Sequence, residues 1–279
     1  MVGREFQFRK KRELGEIIND SFEFLKEEFR PVFQLIIPYV LPFILLYGGL
    51  QVYVQMKFIN AIDFSDPESL LGNIGPVYLN VLLSSLFAVF VQSLLVGTFY
   101  SYLEVYIRKG KNNFDLEEIK PVLFSNTLVA LGANLILYFL VLLGVFMCIL
   151  PGIYFANTLS PLVMVLLFEK KNITDGFSRT WRLVHSQWWQ TFLLNLLGVV
   201  ITYVAGFVVS IPTQLTESGA QVVGIEATTS TGFPDWYWVL IGISTVVSTI
   251  FWLVPYTFLA FQYFNLKERN DPEPPAQQF

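Results

Sequence analysis

The 279-residue chain has one cysteine, one histidine and few charged residues, and each scarcity excludes a class of protein. Cys148 and His185 alone cannot supply a disulfide framework or a Cys/His metal cluster. Charged residues make up 14% of the chain, whereas soluble domains carry about 25%. A net charge of −4 argues against a nucleic-acid partner, which attracts strongly basic surfaces. We therefore expect no metal, no nucleic acid and no bound cofactor.

Long apolar stretches take the place of the missing charges. Hydrophobic residues make up 54% of the chain, and five stretches lack Asp, Glu, Lys and Arg: 31–56, 69–103, 121–168, 186–216 and 236–266. A membrane-spanning helix needs about 20 apolar residues, so 121–168 has room for two helices and each other stretch for one. The best helix break inside it is Pro151-Gly152, because proline lacks a backbone donor and glycine accepts turn dihedrals.

The distribution of Lys and Arg selects six spans over five. With six spans and a cytoplasmic N-terminus, every Lys and Arg except Lys57 falls in a cytoplasmic segment. The predicted fold is therefore all-α, a polytopic membrane protein with both termini cytoplasmic. Residues 1–269 form one integral membrane domain, and 270–279 form a polar, disordered tail. The predicted spans are approximately 32–55, 77–103, 127–148, 152–168, 191–211 and 237–264.

Prolines within these spans predict local kinks, at Pro38 and Pro42 in the first span, Pro161 in the fourth and Pro255 in the sixth. One interpretation makes these kinks gates or ligand sites. The alternative, which we favour, is that proline is simply frequent in membrane helices.

Amphipathic stretches precede three of the predicted spans. The first, 12–30, is predicted to end at Pro31, and the second, 172–189, places Ile173, Phe177, Trp181, Val184 and Trp188 on one helical face. A shorter candidate at 114–124 has Asp115 as a potential cap. Each would be a cytoplasmic interfacial helix. The chain is then either three pseudo-repeated units of one such helix and a two-span hairpin, or a chance similarity of short patterns.

The stretch FSRTWRLVHSQWWQTF, 177–192, mixes aromatic and basic side chains in front of the fifth span. Trp favours the headgroup level of a bilayer and Arg can meet anionic lipid there. The predicted membrane-interface residues are Phe177, Arg179, Trp181, Arg182, Trp188 and Trp189. A catalytic His185 is disfavoured because no serine motif accompanies it.

Uncharged polar residues inside the spans have two interpretations. Asn134, Asn157 and Asn195 could line a substrate cavity, or they could bond across packed helices at about 0.6–2 kcal/mol each. Intramembrane acids mark proton relays, but Glu104 and Glu169 lie at span ends without an obvious buried partner. Proton-coupled transport is therefore disfavoured.

The run at 150–192 resembles a known family through Pro151, Gly152, Ile153, Tyr154, Glu169, Arg179, Trp181, Arg182, Leu183 and Trp188. The chain is similar to the bacterial membrane domain named after glycerophosphoryl diester phosphodiesterases, and to related six-span families. The start RELGEIINDSFEFL and the ending PYTFLAFQYFNLKER extend the resemblance over nearly the whole chain. It implies a multi-pass protein of the bacterial inner membrane. The catalytic part of the name-giving enzyme is a separate soluble barrel, for which this chain has no room, and Asn157-Thr158 stand where family members often carry an arginine.

The expected function follows from the absence of catalytic motifs beside three surface helices. We expect no enzyme, and a scaffold or accessory protein that organises membrane lipids or a protein partner of unknown identity. The alternative is a transporter or permease for a small or lipid-like substrate. A cavity reaching Asn134, Asn157 and Asn195 would favour the transporter, and dry helix packing there would count against it.

The anchoring role of the aromatic stretch can be tested by substitution. Trp181→Ala or Trp188→Ala is expected to lower the amount of protein in the membrane, because each removes an interfacial ring, whereas His185→Ala should change little. Quantitative blotting of membrane fractions measures this. Wild-type levels in both tryptophan variants would contradict the anchoring role.

Overall fold

The computed structural model describes residues 6–61, 67–111, 113–147, 149–222 and 235–271, and within these ranges the chain is helical without a strand. The described helices are α1 (Leu14–Tyr39), α2 (Leu41–Ala61), α3 (Pro67–Lys109), α4 (Lys120–Met147), α5 (Ile149–Leu159), α6 (Leu162–Phe168), α7 (Ile173–His185), α8 (Trp188–Val222), α9 (Asp235–Phe251) and α10 (Leu253–Asn270). An all-α fold is thus confirmed for the described part. Residues 272–279 of the predicted disordered tail lie outside it.

Five described segments are long and apolar enough to cross a membrane: Gly75–Lys109, Leu116–Met147, Ile149–Phe168, Trp188–Thr216 and Asp235–Asn270. The first two helices, Leu14–Tyr39 and Leu41–Met56, meet the same criteria together but are bent by 63° at the break between them. Counting that pair as one broken span gives six. The predicted six spans are therefore the largest number that the lengths and compositions of the described helices allow.

The first helix is predicted from the sequence to end at Pro31. This prediction is wrong, because α1 continues through Pro31 to Tyr39. A proline inside a helix costs about 3 kcal/mol through its lost hydrogen bond and its clash with the preceding turn. Tertiary packing offsets this cost, since one buried stripe passes Pro31 without interruption: Phe24, Glu28, Val32 and Leu35. The carboxylate of Glu28 also accepts a hydrogen bond from the hydroxyl of Tyr102 at 2.6 Å.

The bend between α1 and α2 lies between Pro38 and Pro42. The amide of Val40 donates to Ile36 at 2.9 Å, and the Val40 carbonyl accepts from Ile44 at 3.0 Å. Backbone groups at the bend are therefore paired, which apolar surroundings require. The kink predicted from these two prolines is confirmed.

The kink predicted at Pro161 is also confirmed, as a break between α5 and α6. Proline disrupts the hydrogen bond to the carbonyl four residues before it, here that of Asn157. That carbonyl instead accepts from the amide of Ser160 at 3.3 Å and from its hydroxyl at 2.9 Å. The break thus leaves no unpaired acceptor at Asn157.

Pro255 produces the corresponding break between α9 and α10, at Trp252. The carbonyl displaced by its ring is that of Phe251. The hydroxyl of Thr202, on α8, lies 3.4 Å from this carbonyl, but its one proton is donated to the carbonyl of Gly198 at the shorter distance of 2.9 Å. A local serine therefore compensates the first break, whereas the second break has no donor of comparable distance among the described residues.

A pair of glycines brings α4 and α5 into close contact. From the sequence, Pro151 and Gly152 are predicted to form the turn between two spans. They lie instead in the first turn of α5, which begins at Ile149. Cys148, where the predicted third span ends, lies outside the described residues. Proline is tolerated in a first turn, where its missing N–H would have no intrahelical acceptor. A Cβ on Gly144 would lie 2.8 Å from the Cα of Gly152, so this approach requires glycine.

The second predicted surface helix is present as α7, but its buried face differs from the predicted one. The side chain of Asn172 caps it by accepting from the Asp175 amide at 2.9 Å. Of the predicted face, Val184 is buried, whereas Ile173 and Trp181 are 45% and 39% exposed. The other buried residues of α7 are Gly176, Thr180 and Leu183. A Cβ on Gly176 would meet the Leu166 side chain at 2.5 Å. The 3–4 spacing of large apolar residues therefore predicted only part of the face that packs closely against α6.

The third predicted surface helix is shorter than expected. It consists of a 3₁₀ turn, Leu116–Ile119, that leads directly into α4. Asp115 stands at its N-cap as predicted, and its backbone amide donates to the Glu118 carboxylate at 3.3 Å. The repetition of three helix–hairpin units stays a prediction.

The N-terminal segment, residues 6–13, packs into the bundle against α1, α3 and α10. Phe6 and Phe8 are buried, and the Phe8 ring stacks on Phe261 with centroids 4.8 Å apart. The Arg12 guanidinium lies 5.0 Å from the centre of the same Phe261 ring, where cation–π attraction operates. The two phenylalanines thus make this segment part of the core, although a basic run, Arg9 to Arg12, follows them in the sequence.

The glycine contact between α4 and α5 can be tested within one helix. Gly144→Ala is expected to destabilise the protein by about 1–3 kcal/mol, because the added methyl overpacks the contact with α5. Gly132, also on α4, has no atom within 4 Å of an added Cβ. Gly132→Ala should therefore be neutral or stabilising, since alanine is the better helix former.

Thermal unfolding of both variants in mild detergent, followed by loss of the monodisperse chromatographic peak, measures the difference. Equal stability of the two variants would show that the α4–α5 contact adjusts without cost.

Candidate ligand cavity

A cavity of about 540 Å³ lies inside the bundle, and the three asparagines predicted from the sequence all line it. Its walls come from α3, α4, α5, α6, α8 and α10, together with Ser160 and Trp252 at the two helix breaks. None of the described residues that line it carries a charge, and most are apolar. The cavity is therefore a largely apolar space with a few uncharged polar groups, which is the usual composition of a ligand site.

Asn157 and Asn195 form a hydrogen-bonded pair between α5 and α8. The amide nitrogen of Asn195 donates to the Asn157 side-chain oxygen at 2.8 Å and to the Ser160 hydroxyl at 3.0 Å. The Asn157 amide nitrogen in turn donates to the backbone carbonyl of Trp188 at 3.2 Å. Both amides therefore bond across packed helices and also face the cavity, so the two interpretations from sequence hold together.

Asn134 connects α4 to α3. Its amide nitrogen donates to the Ser93 hydroxyl at 2.9 Å, and that hydroxyl donates to the carbonyl of Val89 at 2.6 Å. Two tyrosines of the lining are also engaged, since the Tyr100 hydroxyl donates to the Tyr256 carbonyl at 3.2 Å and the Tyr256 hydroxyl donates to Gln92 at 2.8 Å.

The cavity opens sideways between α5 and α8. Ile153 and Leu196 line it and are 41% and 47% exposed. Ile153 and Phe192 also line an apolar groove of about 660 Å³ on the outer surface of the same two helices. The cavity and the surface groove thus share Ile153 and Phe192 as walls and lie next to each other.

The aromatic stretch predicted as a membrane anchor borders this groove. Trp188 stacks between Tyr154 and Phe192, with centroid distances of 5.8 and 5.4 Å, and its indole nitrogen donates to Thr158 at 3.1 Å. Trp189 is 71% exposed on the same groove. Trp188 therefore packs within the protein, whereas Trp189 faces outward.

The remaining residues of the stretch lie on α7 beyond the cavity. Phe177 is half-buried and packs against the core, while Arg182 and His185 are exposed. Arg179 takes part in ion pairs described below. The structure thus divides the predicted interface residues between a groove wall, a surface helix and a charged cluster.

Glu169 and Arg179 form a half-buried ion pair at the end of the bundle opposite the α4–α5 turn. The Arg179 Nε atom lies 3.2 and 3.0 Å from the two Glu169 oxygens, and Arg179 also pairs with Asp271. The Tyr263 hydroxyl donates to Glu169 at 3.3 Å. Burial lowers the pKa of Arg179, but the hydrogen bonds and charges of Asp271 and Glu169 outweigh this and raise it.

Glu104 is paired at the same end. It accepts from the Asn126 amide at 2.8 Å and from Lys170 at 2.9 Å. Lys170 follows α6 with a left-handed φ of 51°. The sequence-based view that Glu104 and Glu169 lack obvious partners is therefore wrong. Glu104 pairs with Lys170, 66 residues away, and Glu169 pairs with Arg179, 10 residues further along the chain on α7. We call these residues, Glu104, Glu169, Lys170 and Arg179, the charged end.

Metal chemistry finds no support in the described part of the chain, where no group of three or more His, Cys, Asp or Glu side chains could hold an ion. The polar groups of the cavity are carboxamides, hydroxyls and the indole of Trp252. What they can do is hold a ligand by uncharged hydrogen bonds.

Comparison with known proteins does not add to the geometry. No family model matches the chain, and no curated protein or solved structure matches it. The resemblance to the membrane domain of glycerophosphoryl diester phosphodiesterases stays a prediction.

The ion pair of the charged end can be tested by single and double substitution. Arg179→Met is expected to cost about 1–3 kcal/mol of stability, because the part-buried Glu169 carboxylate loses its guanidinium partner. The Tyr263 hydroxyl and Lys171, at 4.0 Å, remain beside that carboxylate. Glu169→Gln combined with Arg179→Met should recover much of that loss, since the carboxylate that lost its guanidinium partner is also removed. Thermal unfolding of the three proteins in detergent measures the coupling, and additive losses in the double variant would contradict it.

Proposed function

We propose that the chain is a multi-pass membrane protein that takes up a lipid-like molecule from the bilayer into the asparagine-lined cavity. The single observation that carries this proposal is that the cavity reaches Asn134, Asn157 and Asn195 and opens sideways between α5 and α8. The transporter or permease thereby becomes the leading function, ahead of the scaffold. The proposal assigns the chain no catalysis of its own.

The membrane location rests on the exposed apolar surface and on the distribution of charge. Large apolar side chains are exposed along α2, α4 and α8, including Phe146 at 91% and Leu46 at 63%. Surfaces of this kind on a soluble protein would be an aggregation liability, whereas lipid covers them at no cost. If the bent α1–α2 pair is the first of six crossings, the charged end and both termini lie on the side rich in Lys and Arg, and the positive-inside rule supports the proposal that this is the cytoplasmic side of a bacterial inner membrane.

The ligand's route follows from the groove between α5 and α8. Acyl chains of the bilayer would lie against Ile153, Phe192 and Leu196. A molecule entering there need not leave the apolar phase, and its polar group would meet the carboxamides inside. Such lateral entry suits a lipid-like substrate and not a small hydrophilic solute.

The scaffold is retained as the second candidate because of α7. This helix presents Ile173, Trp181 and Arg182 outward, a surface that fits a headgroup layer or a protein partner. A scaffold would use this surface without needing the cavity.

Filling the cavity from α8 separates the two candidates. Val199 lines the cavity, whereas Val204, on the same helix, is 57% exposed. Val199→Phe is expected to remove most of the lipid that co-purifies with the protein in mild detergent, because the ring occupies ligand space. Val204→Phe should leave it unchanged.

Native mass spectrometry of both variants and of the wild type measures bound lipid, and chromatography verifies that both variants remain folded. If Val199→Phe and Val204→Phe retained equal lipid, or if the wild type carried none, cavity binding would be refuted and the scaffold would be favoured.

A further inference from the structure

We infer that the ligand of the cavity carries an uncharged hydroxyl headgroup that donates hydrogen bonds to the side-chain oxygens of Asn134 and Asn195. This inference rests on the proposed function, since it names the chemical class of the molecule taken up. Long-chain alcohols and acylglycerols with a free hydroxyl belong to this class. Phospholipids and ionised fatty acids do not.

The orientation of the Asn134 amide follows from its serine partner. The Ser93 hydroxyl has one proton and donates it to the Val89 carbonyl at 2.6 Å. Towards Asn134, at 2.9 Å, Ser93 can therefore only accept, so Asn134 must present its NH₂ group. The Asn134 side-chain oxygen then has no hydrogen bond to any described residue.

The same reasoning orients Asn195. The Ser160 hydroxyl donates to the carbonyl of Asn157 at 2.9 Å, so it accepts from the Asn195 NH₂ group at 3.0 Å. The second N–H of that group donates to the Asn157 side-chain oxygen at 2.8 Å. Both Asn195 protons are thus used, and its oxygen is left without a partner among the described residues.

The two free oxygens are acceptors, and a ligand that satisfies them must donate a hydrogen bond; a hydroxyl can also accept from the second N–H of Asn134, which has no acceptor among the described residues. An unpaired acceptor in an apolar site costs free energy that a hydroxyl donor would restore. Ether, ester and methyl groups cannot do so. A hydroxyl fits both requirements, since it donates one proton and is apolar enough to accompany an acyl chain into the cavity.

Charged headgroups do not fit this lining. Phosphate and carboxylate are held in proteins by Arg, Lys or clusters of N–H donors, and no described residue of the lining is charged. The Tyr100 and Tyr256 hydroxyls already donate within the protein. The remaining donors of the described lining are the second N–H of Asn134, the second N–H of Asn157 and the indole N–H of Trp252, and all are uncharged. An anion would therefore meet no positive charge to compensate its lost hydration.

Three photoactivatable probes of equal chain length test this inference in phosphatidylcholine nanodiscs. They are a long-chain 1-alkanol with a diazirine on its chain, its methyl ether, and the corresponding alkyl sulfate, which stays charged. The alkanol is expected to label peptides of α4, α5 and α8 about fivefold to tenfold more than the ether, the ratio for one hydrogen bond to an otherwise unpaired acceptor. The sulfate should label them least.

Substitutions then assign the preference to the two amides. Asn134→Leu and Asn195→Leu, tested singly, should each reduce the alkanol-to-ether ratio towards one while leaving ether labelling intact. The control is Asn80→Leu on α3, which removes a carboxamide bonded only to the Pro76 carbonyl at 2.9 Å among the described residues and not lining the cavity. This control should keep the wild-type ratio.

The outcomes separate the inference from the function it rests on. Equal labelling by all three probes in the wild type, or strongest labelling by the sulfate, would overturn the hydroxyl headgroup and leave cavity binding in place. Absence of labelling of cavity peptides by every probe would overturn the proposed function as well. The wild-type series alone decides this, even if a variant does not fold.

Discussion

In apolar surroundings every backbone carbonyl needs a hydrogen-bond donor, and this requirement shapes the centre of the molecule. Pro161 and Pro255 each deprive a carbonyl of its helical partner. Ser160 supplies a donor at the first break, whereas the Thr202 hydroxyl near the second break donates to Gly198 at 2.9 Å. Both breaks border the cavity, since Ser160 and Trp252 line it.

The compensation at the first break also determines the polarity of that cavity. Because the Ser160 proton is used on the Asn157 carbonyl, Ser160 becomes an acceptor for Asn195. The Asn195 amide is thereby oriented with its oxygen unpaired. A backbone defect caused by one proline thus leads, through a serine, to a specific acceptor for a ligand. From the sequence alone, the prolines are explained by their frequency in membrane helices and the asparagines by helix packing. In the structure, Pro161, Ser160 and Asn195 belong to one hydrogen-bonded network.

Several elements of the fold were predictable because their causes are local. The kinks at Pro38–Pro42, Pro161 and Pro255 follow from proline chemistry, and Asp115 was recognised as a cap from its position alone. The three asparagines were identified as cavity candidates because polar groups in apolar helices need partners. The fact that they share one cavity depends on helix packing, which a single sequence does not contain.

What escaped prediction depends on contacts between distant parts of the chain. Glu104 appears unpaired in sequence because Lys170 is 66 residues away. Pro31 stays inside α1 because the buried stripe around it outweighs its local preference. Phe6 and Phe8 are buried in the core, although the basic residues that follow them in the sequence give no indication of this. In each case contacts between residues distant in the chain contribute more free energy than the local sequence preference, so a prediction from that preference alone is wrong.

The scaffold and the permease are not independent in this geometry. The turn between α7 and α8 is hydrogen-bonded to the cavity, since the Trp188 carbonyl accepts from Asn157 and the Trp188 indole donates to Thr158. Asn157 in turn accepts from Asn195. These bonds join the start of α8, directly after the α7–α8 turn, to the carboxamides that line the cavity, so the position of that turn and the orientation of the Asn195 oxygen are set by one network.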